Sequence, residues 1–222
     1  MRTFVYVDGF NLYYRLLKPN PQFKWLNLKA LAQEVLDGAN DVVQVNYYTA
    51  RVSARVKPDA PKNQQIYLDA LSTIPEISAH FGNFQVNKSY AHLCPYPEGN
   101  GKPLFLPWPN VVKIVKTEEK GSDVNLGAHL VRDAFQNKFE AAAVITNDTD
   151  LVEPIRIAVQ EAGKKVGILS PVSNPAAGLK SVATFYRHIR TAHLTAAQFP
   201  NPLPMPDGTE LHRPFSWIED PS

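Results

Sequence analysis

Short apolar runs alternate with amphipathic stretches along most of the chain. TFVYV (3–7) has the β-branched and aromatic content of a buried strand, and Asp8-Gly9 ends it. FNLYYRLL (10–17) predicts a short helix. Asn27 is placed to cap a second helix, LKALAQEVL, whose Leu28, Leu31, Val35 and Leu36 share one face, with Gly38 expected to close it. VVQVNYYTARV (42–52) predicts a strand, and residues 62–73 a helix stopped by Pro75. Later, VNLGAHLVRDAF (124–135) predicts a helix with Val124, Leu126, Leu130, Val131 and Phe135 as its apolar positions. AAAVIT is the next strand, followed by a helix over 150–162 and a strand at KVGIL (165–169). A short helix near 178–183 and a strand near 185–189 complete the alternation.

Two segments depart from it. Between 79 and 117, prolines, aromatics and the turn signal GNG predict strands and a long hairpin-like insertion. From Phe199 onward the chain is proline-rich, and it is expected to run extended over the domain formed by 1–198, with Phe215 and Trp217 as apolar anchors. Strands alternating with helices imply a mostly parallel central sheet with helices on both faces.

Composition narrows the setting. The 222 residues suffice for one sizeable domain, and 44% hydrophobic with 20% charged is ordinary globular content. A net charge of +2 permits a nucleic-acid partner without demanding one. The single cysteine, Cys94, rules out an intrachain disulfide and suits a reducing cytoplasm. The first residues run directly into a strand with no leader-like apolar stretch, and no run approaches a membrane span, so a cytoplasmic protein without a membrane partner is expected.

The chemistry gathers at strand ends. In VITNDTDLVEPI (144–155) an apolar strand gives way to two acids one residue apart, Asp148 and Asp150. Such residues cap helices and suit the positive end of the helix dipole, so one alone needs no function. Parallel sheets, however, bind ligands beyond the carboxyl ends of their strands, and Asp8 occupies the same edge as Asp148. TEEKGSDVNLGAHL adds Asp123 at the start of a helix. Carboxylates converging at one edge repel each other unless a cation joins them, and an oxygen-only set favours Mg²⁺ or Mn²⁺.

Together FVYVDGFNLYY, TEEKGSDVNLGAHLVRDAF and VITNDTDLVEPIRIAVQEAGKKVGIL resemble the NYN family of the PIN-like nuclease superfamily, over most of residues 3–190. YYTARV and LHRPFSW are similar to its bacterial branch. The resemblance implies a PIN-like nuclease domain over 1–198 with a Rossmann-like three-layer α/β/α fold, an acidic metal site and ribonuclease activity on single-stranded or structured RNA. It implies Asp8, Asp123 and Asp148 as metal ligands, with Asp150 a fourth ligand or an outer acid. Asn11, one helical turn after Asp8, would reach a water of the ion's shell or a phosphate. Thr146-Asn147 stands where the family often has Ser or Gly before the Asp, and either polar group is a candidate substrate contact.

Other residues carry two readings each. Arg51, Arg55, Lys57 and Lys62, with Tyr47 and Tyr48 before them, read as phosphate and base contacts or as a solvated loop beside core tyrosines. Lys120 reads as a phosphate contact or as the balance for Glu118 and Glu119, which themselves read as surface or supporting acids. Lys88 is a candidate for the substrate groove. His92 and Cys94 form an HxC pair, but zinc needs four ligands and no partner pair is visible. His129 reads as structural. No G-x-S-x-G, G-x-G-x-x-G or Walker A motif is present. The rival functions are a non-catalytic RNA-binding or regulatory protein, and a HAD-type phosphatase, which needs a second Asp where Phe10 stands. Assembly into a homo-oligomer is compatible with the sequence.

Overall fold

The first apolar run forms β1 (Arg2–Asp8), and its alternation serves two cores at once. Val5 and Val7 belong to one buried cluster and Tyr6 to the other, with Phe4 packed beside it. The computed structural model describes residues 1–54, 58–92 and 111–217. After β1 come α1 (Gly9–Leu12), which continues as a wider π-turn through Leu17, then α2 (Leu28–Val35), β2 (Asp41–Ala50) and α3 (Ala60–Ser72). β3 (Ile77–His92) and β4 (Val111–Lys120) are followed by α4 (Ser122–Phe135), β5 (Ala141–Ile145), α5 (Val152–Arg156) and β6 (Lys165–Ser170). α6 (Ala177–Val182), β7 (Phe185–His188), α7 (Thr191–Ala196) and the two-residue strands β8 (Leu203–Pro204) and β9 (Glu210–Leu211) end the described chain.

The main sheet has seven strands in the order β4-β3-β2-β1-β5-β6-β7. Every neighbouring pair is parallel except β3 and β4. Residues of α2, α3 and α7 bury against one face, and residues of α4, α5 and α6 against the other, which gives the three layers. β3 does two jobs: Ile77–Gly82 pairs with β2, and Asn83–His92 runs on into an antiparallel ribbon with β4. This ribbon is the β-rich insertion; the residues between its strands, including Cys94, lie outside the described residues.

Local expectations need three corrections. Asn27 does cap α2, accepting from the Lys29 and Ala30 amides at 3.0 Å each, but Gly38 does not close it. Leu36 turns extended (φ −80°, ψ 160°) and returns its side chain to the core, ending the helix two residues earlier. On α4, Val124 is 74% and Phe135 55% exposed; the buried stripe runs through Leu126, Leu130 and Ala134. In the tail, Phe215 is exposed, whereas Trp217 packs edge-on between Trp25 and Tyr67 at 6.4 and 6.1 Å.

One buried ionic group ties α4 to the sheet. Asp133, 3% exposed, accepts from the Tyr6 hydroxyl at 2.9 Å and pairs with Arg132 at 2.8 Å and Lys138 at 3.1 Å. Burial alone would raise its carboxyl, but these three partners outweigh it and hold the pKa below the ordinary value. A buried charge losing one such bond costs about 2 kcal/mol. Tyr6→Phe should therefore lower the melting temperature by roughly 4–8 °C for a chain of this size. An unchanged melting curve would mean that the hydroxyl adds nothing to the packing of the ring.

Candidate active site

β1 lies between β2 and β5, so the chain leaves it on one side for β2 and returns on the other at β5. This is the topological switch point, where the connections after β1 and β5 part and leave a crevice. Asp8 ends β1 and caps α1, its Oδ1 accepting from the Asn11 amide at 2.9 Å. Its Oδ2 accepts from the Thr146 hydroxyl at 2.9 Å. That hydroxyl in turn accepts from the Asp148 amide at 3.0 Å. The Asn11 side-chain carbonyl accepts from the Asn147 amide at 3.1 Å, and the Asn147 carbonyl from the Ala176 amide at 2.8 Å. The strand ends are thus cross-tied by side chains of the motifs themselves. Gly9 is required by close approach: a Cβ there would stand 2.5 Å from the Tyr48 carbonyl and 2.6 Å from the Tyr47 ring.

The third acid arrives from the far side. Gly121, at φ 95°, turns the chain from β4 into α4 through a left-handed conformation that side chains resist. Glu119 then accepts from the Ser122 amide at 3.0 Å, and Asp123 falls in the first turn of α4. Asp8, Asn11, Asp123 and Asp148 line one cleft of about 390 Å³, together with Phe10, Tyr14 and Arg15.

The charges in this cleft strain each other. Burial pushes the Asp8 carboxyl up to about 7, the Asp123 and Asp148 charges push the same way, and the bonds from Asn11 and Thr146 oppose them. Burial also raises Asp123, reinforced by Glu119, Asp148 and Asp150. Among the described residues, no three Asp, Glu, His or Cys side chains stand close enough to enclose a bare ion. The donor set fits a small hydrated cation such as Mg²⁺ or Mn²⁺, which keeps several waters and needs one or two carboxylates beside a phosphate.

The NYN domain profile matches residues 2–190. The chain belongs to the NYN-domain family, whose members are nuclease-like. A curated relative, the 6-hydroxy-3-succinoylpyridine 3-monooxygenase HspA of Pseudomonas putida, is 27% identical over 245 residues, covering 100% of this chain and 77% of that protein. The crystal structure of VPA0982, a Vibrio parahaemolyticus protein of unknown function, is similar with a TM-score of 0.49 at 15% identity, over 86% of this chain and 93% of that one.

Within this NYN domain the remaining candidates separate. Asp148 also caps its helix, Oδ1 accepting from the Asp150 amide at 3.0 Å. Asp150 itself is exposed, does not line the cleft, and acts on it through its charge on Asp123. Thr146 as a substrate contact is corrected: it is fully buried and its hydroxyl is engaged by Asp8 and Asp148, which makes it a positioning residue. Asn147 is half-buried, with its side-chain carbonyl committed to Ala176. Arg51 stacks on Phe81 at 4.5 Å and donates to Gln65, away from the cleft lining. Lys120 and Lys62 are exposed and also outside that lining; Arg55 and Lys57 lie outside the described residues. Lys88 and His92 are exposed on the ribbon, and the side chain of Glu118 is not described. The two tyrosines divide: Tyr48 is core, bonded to His129 at 2.9 Å, while Tyr47 faces a second pocket.

That second pocket was not foreseen, nor were Phe10, Tyr14 and Arg15 in the cleft. Their signal lay in FNLYYR, where residues ten to fifteen place aromatics and a cation one turn beyond Asp8.

The raised Asp8 carboxyl makes metal-free stability depend on pH. Between the ordinary 3.8 and about 7, the unfolded chain has lost this proton and the folded chain keeps it. Asp8 therefore makes the fold lose stability as pH rises through that window, with no further loss above it. In EDTA, the melting temperature of Asp8→Asn minus that of the parent should rise from pH 4.5 to 7.5. A flat difference would mean that Asp8 ionises normally.

Proposed function

We propose that this protein is a metal-dependent ribonuclease with RNA as its partner, its hydrated Mg²⁺ or Mn²⁺ bound in the cleft of Asp8, Asp123 and Asp148, directly to one or two of these carboxylates and through water to the rest. The observation that carries this reading is the convergence of three carboxylates on one cleft at the switch point of the sheet, two of them shifted upward by burial and by their neighbours' charge. Such mutual repulsion is relieved by a divalent cation. A bound ion would supply Lewis-acid stabilisation of phosphoryl oxygens and lower the pKa of an attacking water. The chain's own groups do the rest. Thr146 and Asn11 fix the Asp8 carboxylate and the loop after β5, and Arg15 offers a cation to the phosphate from within the same cleft. Asp150 adds negative potential from outside it. A non-catalytic RNA-binding role has less support, because a retired site gains nothing by keeping strained acids together.

A second reading takes its cue from the relative named as acting on a hydroxypyridine. An aromatic pocket of about 300 Å³ borders the acidic cleft and suits a single ring. On that reading 6-hydroxy-3-succinoylpyridine would be hydroxylated when supplied with dioxygen and a reductant, with product seen by mass spectrometry.

Two assays test the nuclease reading. Cleavage of RNA should require Mg²⁺ or Mn²⁺ and stop with EDTA; full activity in EDTA would sink it. Asp148→Asn keeps the capping oxygen and removes one charge, since Asn caps about as well as Asp. It should abolish cleavage while leaving metal-free stability equal or higher. At ten times its dissociation constant, Mg²⁺ should stabilise the parent by about 1.4 kcal/mol. That is a rise of roughly 3–6 °C in melting temperature. The variant should show much less. A variant that cleaves at the parent's rate with the same Mg²⁺ response would reduce Asp148 to a cap.

A further inference from the structure

We propose that the aromatic pocket beside the acidic cleft holds one unpaired base of the RNA strand whose phosphate enters that cleft. The proposal rests on the nuclease reading and names its substrate class: single-stranded RNA, bound with little regard to sequence.

The two sites are continuous. Phe10 and Tyr14 line both, their rings stacked at 6.4 Å and 20° to each other. On the nuclease reading, a ligand that fills both carries a flat ring next to a phosphate. The pocket's inner wall is a chain of edge-on aromatics, Tyr47 against Tyr67 at 6.3 Å and Tyr67 against Trp217 at 6.1 Å. At its mouth Tyr13 is 37% and Tyr14 56% exposed. Cations frame those rings: Lys18 stands 5.0 Å from the Tyr14 centroid, and Lys24 5.7 Å from that of Tyr13. Exposed rings flanked by lysines suit stacked bases with their phosphates, because every base has a π-face and stacking tolerates sequence. About 300 Å³ lies at the small end of ligand pockets and accepts one ring system. A base paired in a duplex is held in its stack and cannot enter.

The test measures binding without cleavage. A 2′-O-methyl oligouridine and an abasic strand of equal length and charge are titrated into the intact chain with Ca²⁺ in place of Mg²⁺, which keeps a divalent charge in the cleft without supporting hydrolysis, and binding is read by anisotropy and by tryptophan fluorescence. The parent should bind the base-bearing strand roughly tenfold more tightly than the abasic one, within the range expected for a stacked base. Tyr14→Ala should bring the two strands to within about twofold, a loss of the same stacking contribution, and Tyr14→Phe should restore the difference. Fluorescence quenching by the oligouridine should be lost in Trp217→Phe. Equal affinity of the parent for the two strands would overturn the proposal. So would quenching of Trp217 by free 6-hydroxy-3-succinoylpyridine when the oligouridine leaves it unchanged, which would make the pocket a small-molecule site. Base-dependent binding in a protein that does not cleave RNA would uphold the pocket and sink the nuclease reading alone. Cleavage with base-independent binding would do the reverse.

Discussion

The hydroxyl of Thr146 is the joint on which the candidate site depends. Fully buried, it donates to Asp8 and accepts from the Asp148 amide, so one oxygen ties the acid that ends β1 to the backbone of the acid that follows β5. A buried hydroxyl must satisfy its hydrogen-bonding capacity or cost stability, and here the partners that satisfy it are the site's own groups. Asn11 repeats the device one turn later, linking α1 to the loop after β5. Both ties exist only because β1 and β5 are parallel neighbours in register, Val7 beside Ile145, so that their ends emerge side by side. The fold brings the strand ends together, and the two side chains set the final geometry.

This arrangement works against stability. At the sheet's edge the buried Asp8 is raised by its burial and by the charges of Asp123 and Asp148, and the polar anchor that keeps the layers together lies elsewhere, at Tyr6 and Asp133. The separation is physical. At Asp133 the burial is balanced by two cations and a hydroxyl, giving a charge at ease in the fold. At Asp8 the balance is two hydrogen bonds against burial and two like charges, giving a group that a cation would relieve. A carboxylate perturbed in this way at a cleft is a candidate functional group, whereas Asp133, paired and satisfied, reads as structural.

Much of this was legible in the chain. The alternation of apolar runs and amphipathic stretches determines layers and sheet, because strand and helix periods are local and each element here is consistent with its neighbours. Asp8, Asp123 and Asp148 were legible because each follows or precedes such an element at the ligand-binding edge. What was not legible depends on tertiary contact. Thr146 looked like a substrate contact because sequence does not show that Asp8 lies against it across the sheet. Val124 and Phe135 fit an apolar helical stripe, yet α4 rotates to bury Leu126 and Leu130 and leaves those two in solvent. Tyr47 and Tyr48 look equivalent and point to opposite sides of the sheet, one to the pocket and one to the core. Trp217, the last of the described residues, lines that pocket beside residues about two hundred positions earlier, Tyr13 and Tyr14.

The central claim is that the acids at this edge exist to share a divalent cation. Anomalous diffraction from crystals soaked in Mn²⁺ tests it most directly. The account predicts a manganese peak in the cleft between Asp8, Asp123 and Asp148 that disappears in Asp8→Asn crystals treated identically. Fully ordered carboxylates with no peak among them, or a peak confined to some other part of the molecule, would contradict it.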